Sequence, residues 1–300
     1  DAYDPRLPNS TKDVYALDAH FGAEKTYDFY KNIFDRNSID NNGLALKSYV
    51  HYSTNYFNAF WDGSRMTYGD GSSTNSNLPL TSLDVCGHEI THGLTSYTAK
   101  LNYSGESGAL NEAFSDILGT AIEAYARGRT AIGINNTKWN WTLGDDFKYT
   151  IRDMANPKAY GNPDTYKGTY WYTGLQDNGG VHTNSGVANS WFVFLTEGSN
   201  IGIEHPIDFD STNTNDYKYK FEVRGLGLDK AQAVAYRTLT RYLSSTSKYA
   251  DARKWSIQAA ADLITSPARE AMTNCGATVA PTHSYLRTRV PNTTHPQIRL

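Results

Sequence analysis

Two histidines one helical turn apart, in His88-Glu89-Ile90-Thr91-His92, constrain this 300-residue chain more than any other feature. Positions i and i+4 of a helix share a face, so both imidazoles can reach one metal ion. Glu89 is turned about 100° around the same helix, where it can face a water on that ion without ligating it. Glu112 follows twenty residues after His92. A carboxylate from a neighbouring helix completes a His2Glu set and leaves the fourth tetrahedral position open, which is the equipment of a zinc hydrolase.

The five-residue string alone fixes only three positions, and a surface helix with two solvated histidines would also produce it. Its neighbours argue otherwise. Asp84, Val85, Ile90 and Leu94 make a helix that is partly apolar and can be buried. Residues 108–120 read as a second helix, apolar at 110, 113, 114, 117 and 118. Glu112 and Asp116 are four apart on it and share a face, so one can ligate while the other holds the far nitrogen of a ligating histidine. Cys86 precedes His88 by two positions and therefore points to another face, which makes it a buried thiol rather than a ligand.

Length and charge set wider bounds. Three hundred residues suffice for one large domain or two ordinary ones. A net charge of −3 gives no reason to expect nucleic acid or an anionic membrane as partner. There is no apolar run of about 18 residues, so no transmembrane helix is expected. Two cysteines are too few for a disulfide framework. The chain begins at Asp1 without a visible signal peptide, the pattern of a processed or excerpted chain.

Along the chain, residues 14–34 form an amphipathic helical segment, 44–52 and 58–61 read as strands, and 65–68 as the return strand after the Asp62-Gly63-Ser64 turn. The motif helix is expected over 82–97 and the Glu112 helix over 110–126. Residues 127–163 are irregular, and further helices are expected near 183–197, 229–243 and 248–263. Strands come early and helices late, which predicts an α+β chain of two lobes with the motif helix at their junction. The boundaries are a β-rich N-terminal lobe over 1–98, a mainly helical lobe over 99–264, and a tail over 265–300 without core-forming pattern, expected to be degraded or disordered.

Asn58-Ala59-Phe60-Trp61, Tyr68-Gly69-Asp70-Gly71, residues 84–92, residues 106–116 and Gln176-Asp177-Asn178-Gly179-Gly180-Val181-His182 occur in this order. Together they make the chain resemble the thermolysin-like secreted zinc metalloproteases, in register from about Asp18 to Leu263. The resemblance implies a two-lobed gluzincin fold and endopeptidase activity on protein or peptide substrates outside the cell, by a monomer. It implies zinc on His88, His92 and Glu112, with Asp116 and Asn111 behind them, and Glu89 as the proton carrier. Tyr103 and His182 would donate to the oxyanion, His182 being held by Asp177. Asn58 and Ala59 would bind the peptide backbone by strand addition, and Arg152 a substrate carbonyl. Val85, Leu143 and Ile151 would line a primed-side pocket for bulky apolar residues, although ordinary core positions look the same in sequence. A calcium ion is expected on Asp84, Glu123, Asn140 and Asp145. Asn140 and Thr142 stand where relatives with two adjacent calcium ions carry acids, so one ion is expected.

The resemblance has two gaps. Some fifty residues of β-rich lobe that family members carry before the position of Asp1 are missing here, and the closing helix fades after Leu263. A catalytically weak or inactive metal-binding module is the alternative these gaps raise. A zinc aminopeptidase would need an exopeptidase motif, and Asn58-Ala59 is the endopeptidase pattern instead.

Overall fold

The computed structural model describes residues 13–73, 78–128, 140–144, 150–199, 215–219 and 223–265. Among the residues read above, 129–139 and 145–149 of the irregular stretch, Asp145 included, and the tail from 266 onward lie outside this set.

The first helix, α1 (Val14–Phe34), starts where Asp13 Oδ1 accepts the backbone N–H groups of Tyr15 and Ala16, each at 3.1 Å. Those donors have no partner inside the helix, which is why an acidic cap fixes the start. Three short strands follow: β1 (Ser48–Tyr52), β2 (Ala59–Trp61) and β3 (Met66–Gly69). Their order is β1-β3-β2, with β1 parallel and β2 antiparallel to β3. Strand β2 is thus an edge of this sheet, and Trp61 pairs with Met66 at its end. Residues 44–47, expected in the first strand, lie before it, and the Lys47 carbonyl already accepts the Met66 N–H of β3 at 2.8 Å.

Two helices carry the core. In α2 (Leu83–Tyr97) most of the circumference is buried, and in α3 (Gly105–Ala126) every residue from Ser107 to Ala124 is buried. A helix enclosed on all sides belongs at the centre of a fold, and α3 has that place. It begins five residues before the expected start. Gly108, at the start of the segment read as helical, has no room for a side chain, since a Cβ there would overlap Val181 Cγ1 and stand 3.0 Å from the Tyr103 carbonyl carbon. Helices α2 and α3 approach closely at Gly87 and Gly119, where a Cβ on Gly87 would stand 3.1 Å from the Gly119 Cα. Tyr30 and Thr91 share a 2.7 Å hydroxyl bond that ties α1 to α2.

The hairpin β4 (Thr142–Leu143) and β5 (Arg152–Asp153) leads to α4 (Asp177–Asn184) and α5 (Gly186–Glu197). One helix was expected over 183–197. A second, preceding element arises because Asp177, Asn178, Gly179 and Gly180 are all left-handed, at φ of 52°, 50°, 90° and 76°. Helix α6 (Leu228–Arg237) continues into a wider π turn over Thr238–Tyr242, and α7 (Tyr249–Thr265) ends the described chain. The fold is α+β and helix-rich. Among the described residues no helix is long and apolar enough to cross a membrane.

Candidate metal centre

The close approach of α2 and α3 places their polar residues face to face inside the core. His88 Nε2 and His92 Nε2 are 3.1 Å apart, and Glu112 lies 3.5 Å from the first and 3.3 Å from the second. One ligand atom from each of the three falls within 4.8 Å of the others, the only such group among the described residues. Two imidazole nitrogens aimed at each other repel unless a cation or proton lies between them. Glu112 is fully buried, and its Oε2 makes no hydrogen bond. A buried carboxylate oxygen left unsatisfied is costly, so the three donors fit a divalent ion of the zinc type.

The far sides of the ligands are held as well. His92 Nδ1 is 2.8 Å from Asn111 Oδ1 and 3.2 Å from Ser115 Oγ. His88 Nδ1 is 2.7 Å from Asp116 Oδ1, off the line of a hydrogen bond. Asp116 is also gripped by Arg152, Nε to Oδ2 at 2.8 Å and Nη2 to Oδ1 at 2.6 Å, and by Asn189 Nδ2 at 2.8 Å. Such outer partners fix ring orientation and raise ligand basicity. Ser115 and Asn189 had no mark in the sequence, because neither residue type nor spacing distinguishes them from ordinary buried polar positions.

Charge is strongly organised here. Burial works against the Glu112 anion, yet His92, His88 and His182 hold its carboxyl well below the usual range. Burial likewise opposes the Asp116 charge, but Arg152 and then His88 bring it to about 2. Glu89 goes the other way. Burial raises it, and the two histidines offset only part of that. The Trp61 N–H, at the end of β2, donates to its Oε2 at 3.3 Å. The edge strand and the carboxylate beside the ligands therefore touch directly.

Tyr103 and His182 complete the site from outside the two helices. The Tyr103 hydroxyl donates to Glu112 Oε1 and lies 3.1 Å from His182 Nε2. His182 Nε2 is 3.4 Å from Glu112 Oε2, and its Nδ1 is 2.6 Å from Asp177 Oδ1. Asp177 Oδ2 also accepts the His182 backbone N–H at 2.9 Å, so one carboxylate fixes both ring and backbone.

The remaining expected residues are spread more widely. Asn58 Oδ1 accepts the Ala59 N–H at 3.0 Å on the edge strand. Arg152 spends two of its donors on Asp116 and reaches within 3.9 Å of Glu112. Val85 and Leu143 are buried in the main core, with Ile151 packed against it. Asp84 Oδ2 accepts the Gly144 N–H at 2.5 Å, joining α2 to the 140–144 segment. Glu123 pairs with Arg127 at 2.6 Å, and Asn140 Oδ1 accepts the Thr142 N–H at 2.8 Å. Cys86 faces away from the ligands. It accepts from Tyr68 OH at 3.0 Å, and burial pushes its thiol up to about 12.

Comparison with known proteins agrees with this geometry. Residues 5–96 match the model of the thermolysin metallopeptidase catalytic domain, and residues 99–279 that of the thermolysin metallopeptidase alpha-helical domain. Bacillolysin of Bacillus cereus is 43% identical over 262 residues, covering 85% of this chain and 41% of that protein. Thermolysin of Alicyclobacillus acidocaldarius subsp. acidocaldarius is 43% identical over 266 residues, covering 86% and 43%. The chain thus spans less than half the length of the curated relatives it matches. The solved precursor of protealysin, a metalloproteinase from Serratia proteamaculans, superposes with a TM-score of 0.67 at 27% identity, over 90% of this chain and 79% of that one. The chain belongs to the thermolysin metallopeptidase family.

Proposed function

We propose that this chain is a secreted zinc-dependent endopeptidase with His88, His92 and Glu112 as ligands. The observation that carries the reading is the unsatisfied Glu112 Oε2 facing two convergent imidazole nitrogens, with Glu89 at hand and an edge strand touching it. Zinc, when bound there, would polarise the scissile carbonyl and supply a water-derived nucleophile near neutral pH.

The chain's own residues do the rest. Glu89, its carboxyl raised by burial, takes a proton from the attacking water and passes it to the leaving amine. Tyr103 and His182 donate to the carbonyl oxygen as it gains charge, and Asp177 keeps the His182 ring turned toward it. Asn58 and Ala59 extend the edge of the sheet to a substrate strand. Arg152 has donors beyond the two it gives Asp116, and one of them binds a substrate carbonyl. Val85, Leu143 and Ile151 shape a primed-side pocket for bulky apolar residues. One calcium ion binds Asp84, Glu123, Asn140 and Asp145, bracing the segment that Asp84 already reaches through Gly144. The lobes divide near residue 98, and the enzyme acts as a monomer.

Hydrolysis of an N-blocked peptide with a bulky apolar residue after the scissile bond tests this reading. Cleavage that a chelator stops and zinc restores supports it. Zinc binding without cleavage points to the inactive module instead, and cleavage only of peptides with a free amine to an aminopeptidase.

A further inference from the structure

Asn184 sits two residues after His182, is almost wholly buried, and makes bonds that bear on where His182 stands. Its side-chain amide pairs with the backbone of Tyr172 in both directions: Oδ1 accepts the Tyr172 N–H at 2.9 Å, and Nδ2 donates to the Tyr172 carbonyl at 3.0 Å. The same Nδ2 reaches the Gly179 carbonyl at 3.4 Å. Its own backbone carbonyl accepts from the Tyr249 hydroxyl at 2.6 Å, which anchors it to α7.

These bonds enclose the unusual backbone before His182. Four consecutive left-handed residues form a tight coil that ordinary side chains resist, and only Gly179 and Gly180 adopt it freely. The Tyr172 ring lies against Gly180, where a Cβ would come within 2.6 Å of it. A coil of this kind persists only when its surroundings over-determine it. The Gln176 carbonyl holds the coil through the Gly179 and Gly180 N–H groups, at 2.9 and 3.0 Å, and Ser104 Oγ donates to the Asn178 carbonyl at 3.3 Å. The amide of Asn184 adds a clamp between Tyr172 outside the coil and Gly179 inside it. The coil in turn sets the 2.6 Å contact of Asp177 with His182 and the 3.1 Å contact of His182 with Tyr103.

We infer that Asn184 is a positioning residue for His182, acting through the left-handed coil and the clamped Tyr172 backbone. The inference rests on the proposed role of His182. The sequence gives no sign of it, since asparagine two positions past a histidine is ordinary.

A double-substitution cycle on the full chain separates positioning from plain stability. Asn184→Ala, His182→Ala and the pair are assayed for kcat and KM on one N-blocked peptide, with zinc per chain and melting temperature measured beside them. Misplacing a catalytic group by about 1 Å can cost about 10²-fold. Asn184→Ala is accordingly expected to lower kcat by about 10- to 100-fold, with KM and zinc content little changed, yet by less than about 2-fold when His182 is already alanine. Equal losses in both backgrounds, or an unchanged kcat, overturn the inference while leaving His182 in its role. An unchanged kcat in His182→Ala overturns that role and the inference with it. Tyr249→Phe loses only the hydroxyl that anchors Asn184 and is taken through the same cycle, in case Asn184→Ala does not fold. A smaller loss confined to the His182 background supports positioning, and an equal loss in both contradicts it.

Discussion

Gly119 and His88 stand so close that a Cβ on Gly119 would lie 2.9 Å from the His88 backbone nitrogen and 2.7 Å from the Asp84 carbonyl oxygen. This contact sets the distance between α2 and α3, and with it the distance of His88 from Glu112 and Asp116. Gly119→Ala therefore pits two effects against each other. Helix propensity favours alanine by about 1 kcal/mol, whereas overpacking a core contact costs about 1–3 kcal/mol. The obstacle here is backbone, which cannot swing aside, so the clash wins. Denaturant unfolding should show net destabilisation, and metal titration should show weaker zinc binding. A variant as stable as the parent would mean that the helices can part without consequence.

Asp116 carries three partners at once. Replacing it with asparagine takes the paired charge from the part-buried Arg152 guanidinium, leaving only Glu112 at 3.9 Å, and frees the His88 ring. Removing one member of a buried ion pair costs about 3–5 kcal/mol, and loss of such an outer partner lowers metal affinity by about 10- to 100-fold. Both should appear in Asp116→Asn, by urea unfolding and by competition with a zinc chelator. Parent-like affinity would show that His88 needs no orienting anion.

Glu89 and Glu112 lie on adjoining helices at one site, yet their losses should look different. Glu89→Ala keeps zinc and loses hydrolysis, by about 10²–10⁴-fold for a proton carrier alone. Glu112→Ala and His92→Ala lose the metal itself. Zinc content measured beside turnover distinguishes the two patterns. Substantial turnover in Glu89→Ala would assign the proton transfer elsewhere.

His51 bridges two acids, with Nδ1 at 2.5 Å from Asp70 and Nε2 at 2.7 Å from Asp13, the cap of α1. Hydrogen bonds to Asp13 and then Asp70 raise its pKa above 6.5. Its share of stability is whole below 6.5 and is lost as the pH climbs through the raised value. Asp13 behaves oppositely. Partial burial opposes its charge, but His51 together with the Ala16 and Tyr15 N–H groups lowers it below 3.8, so its share is whole above 3.8 and is lost in acid. Exposed pairs of this kind contribute under about 1 kcal/mol. Unfolding of the parent and of His51→Ala across the pH range should differ most between those two bounds. A difference that grows as the pH rises past 6.5 would contradict the bridge.

Much of this site could be read before the fold was known, because periodicity encodes it. The spacing of His88 and His92, and of Glu112 and Asp116, states which side chains share a helix face. The helix 14–34 was legible for the same reason, with an acidic cap at its start. What stayed hidden depends on contacts distant in sequence. Val181 packs over Gly108 from far along the chain, and the grip of Asn189 on Asp116 spans 73 positions. The coil before His182 was marked by two glycines, but its extension back to Asp177 was not, since asparagine and aspartate enter left-handed backbone without a signature. Arg152 was read as a group for substrate, and its bidentate hold on Asp116 was invisible because no local pattern joins a hairpin to a helix.

X-ray absorption at the zinc edge on the purified chain tests the centre most directly. One zinc per chain is expected, with two imidazole nitrogens at about 2.0–2.1 Å and a carboxylate oxygen at about 2.0–2.2 Å. His92→Ala, put through the same purification, should carry no zinc to measure. A sulfur shell near 2.3 Å, or zinc held only by water, would contradict it.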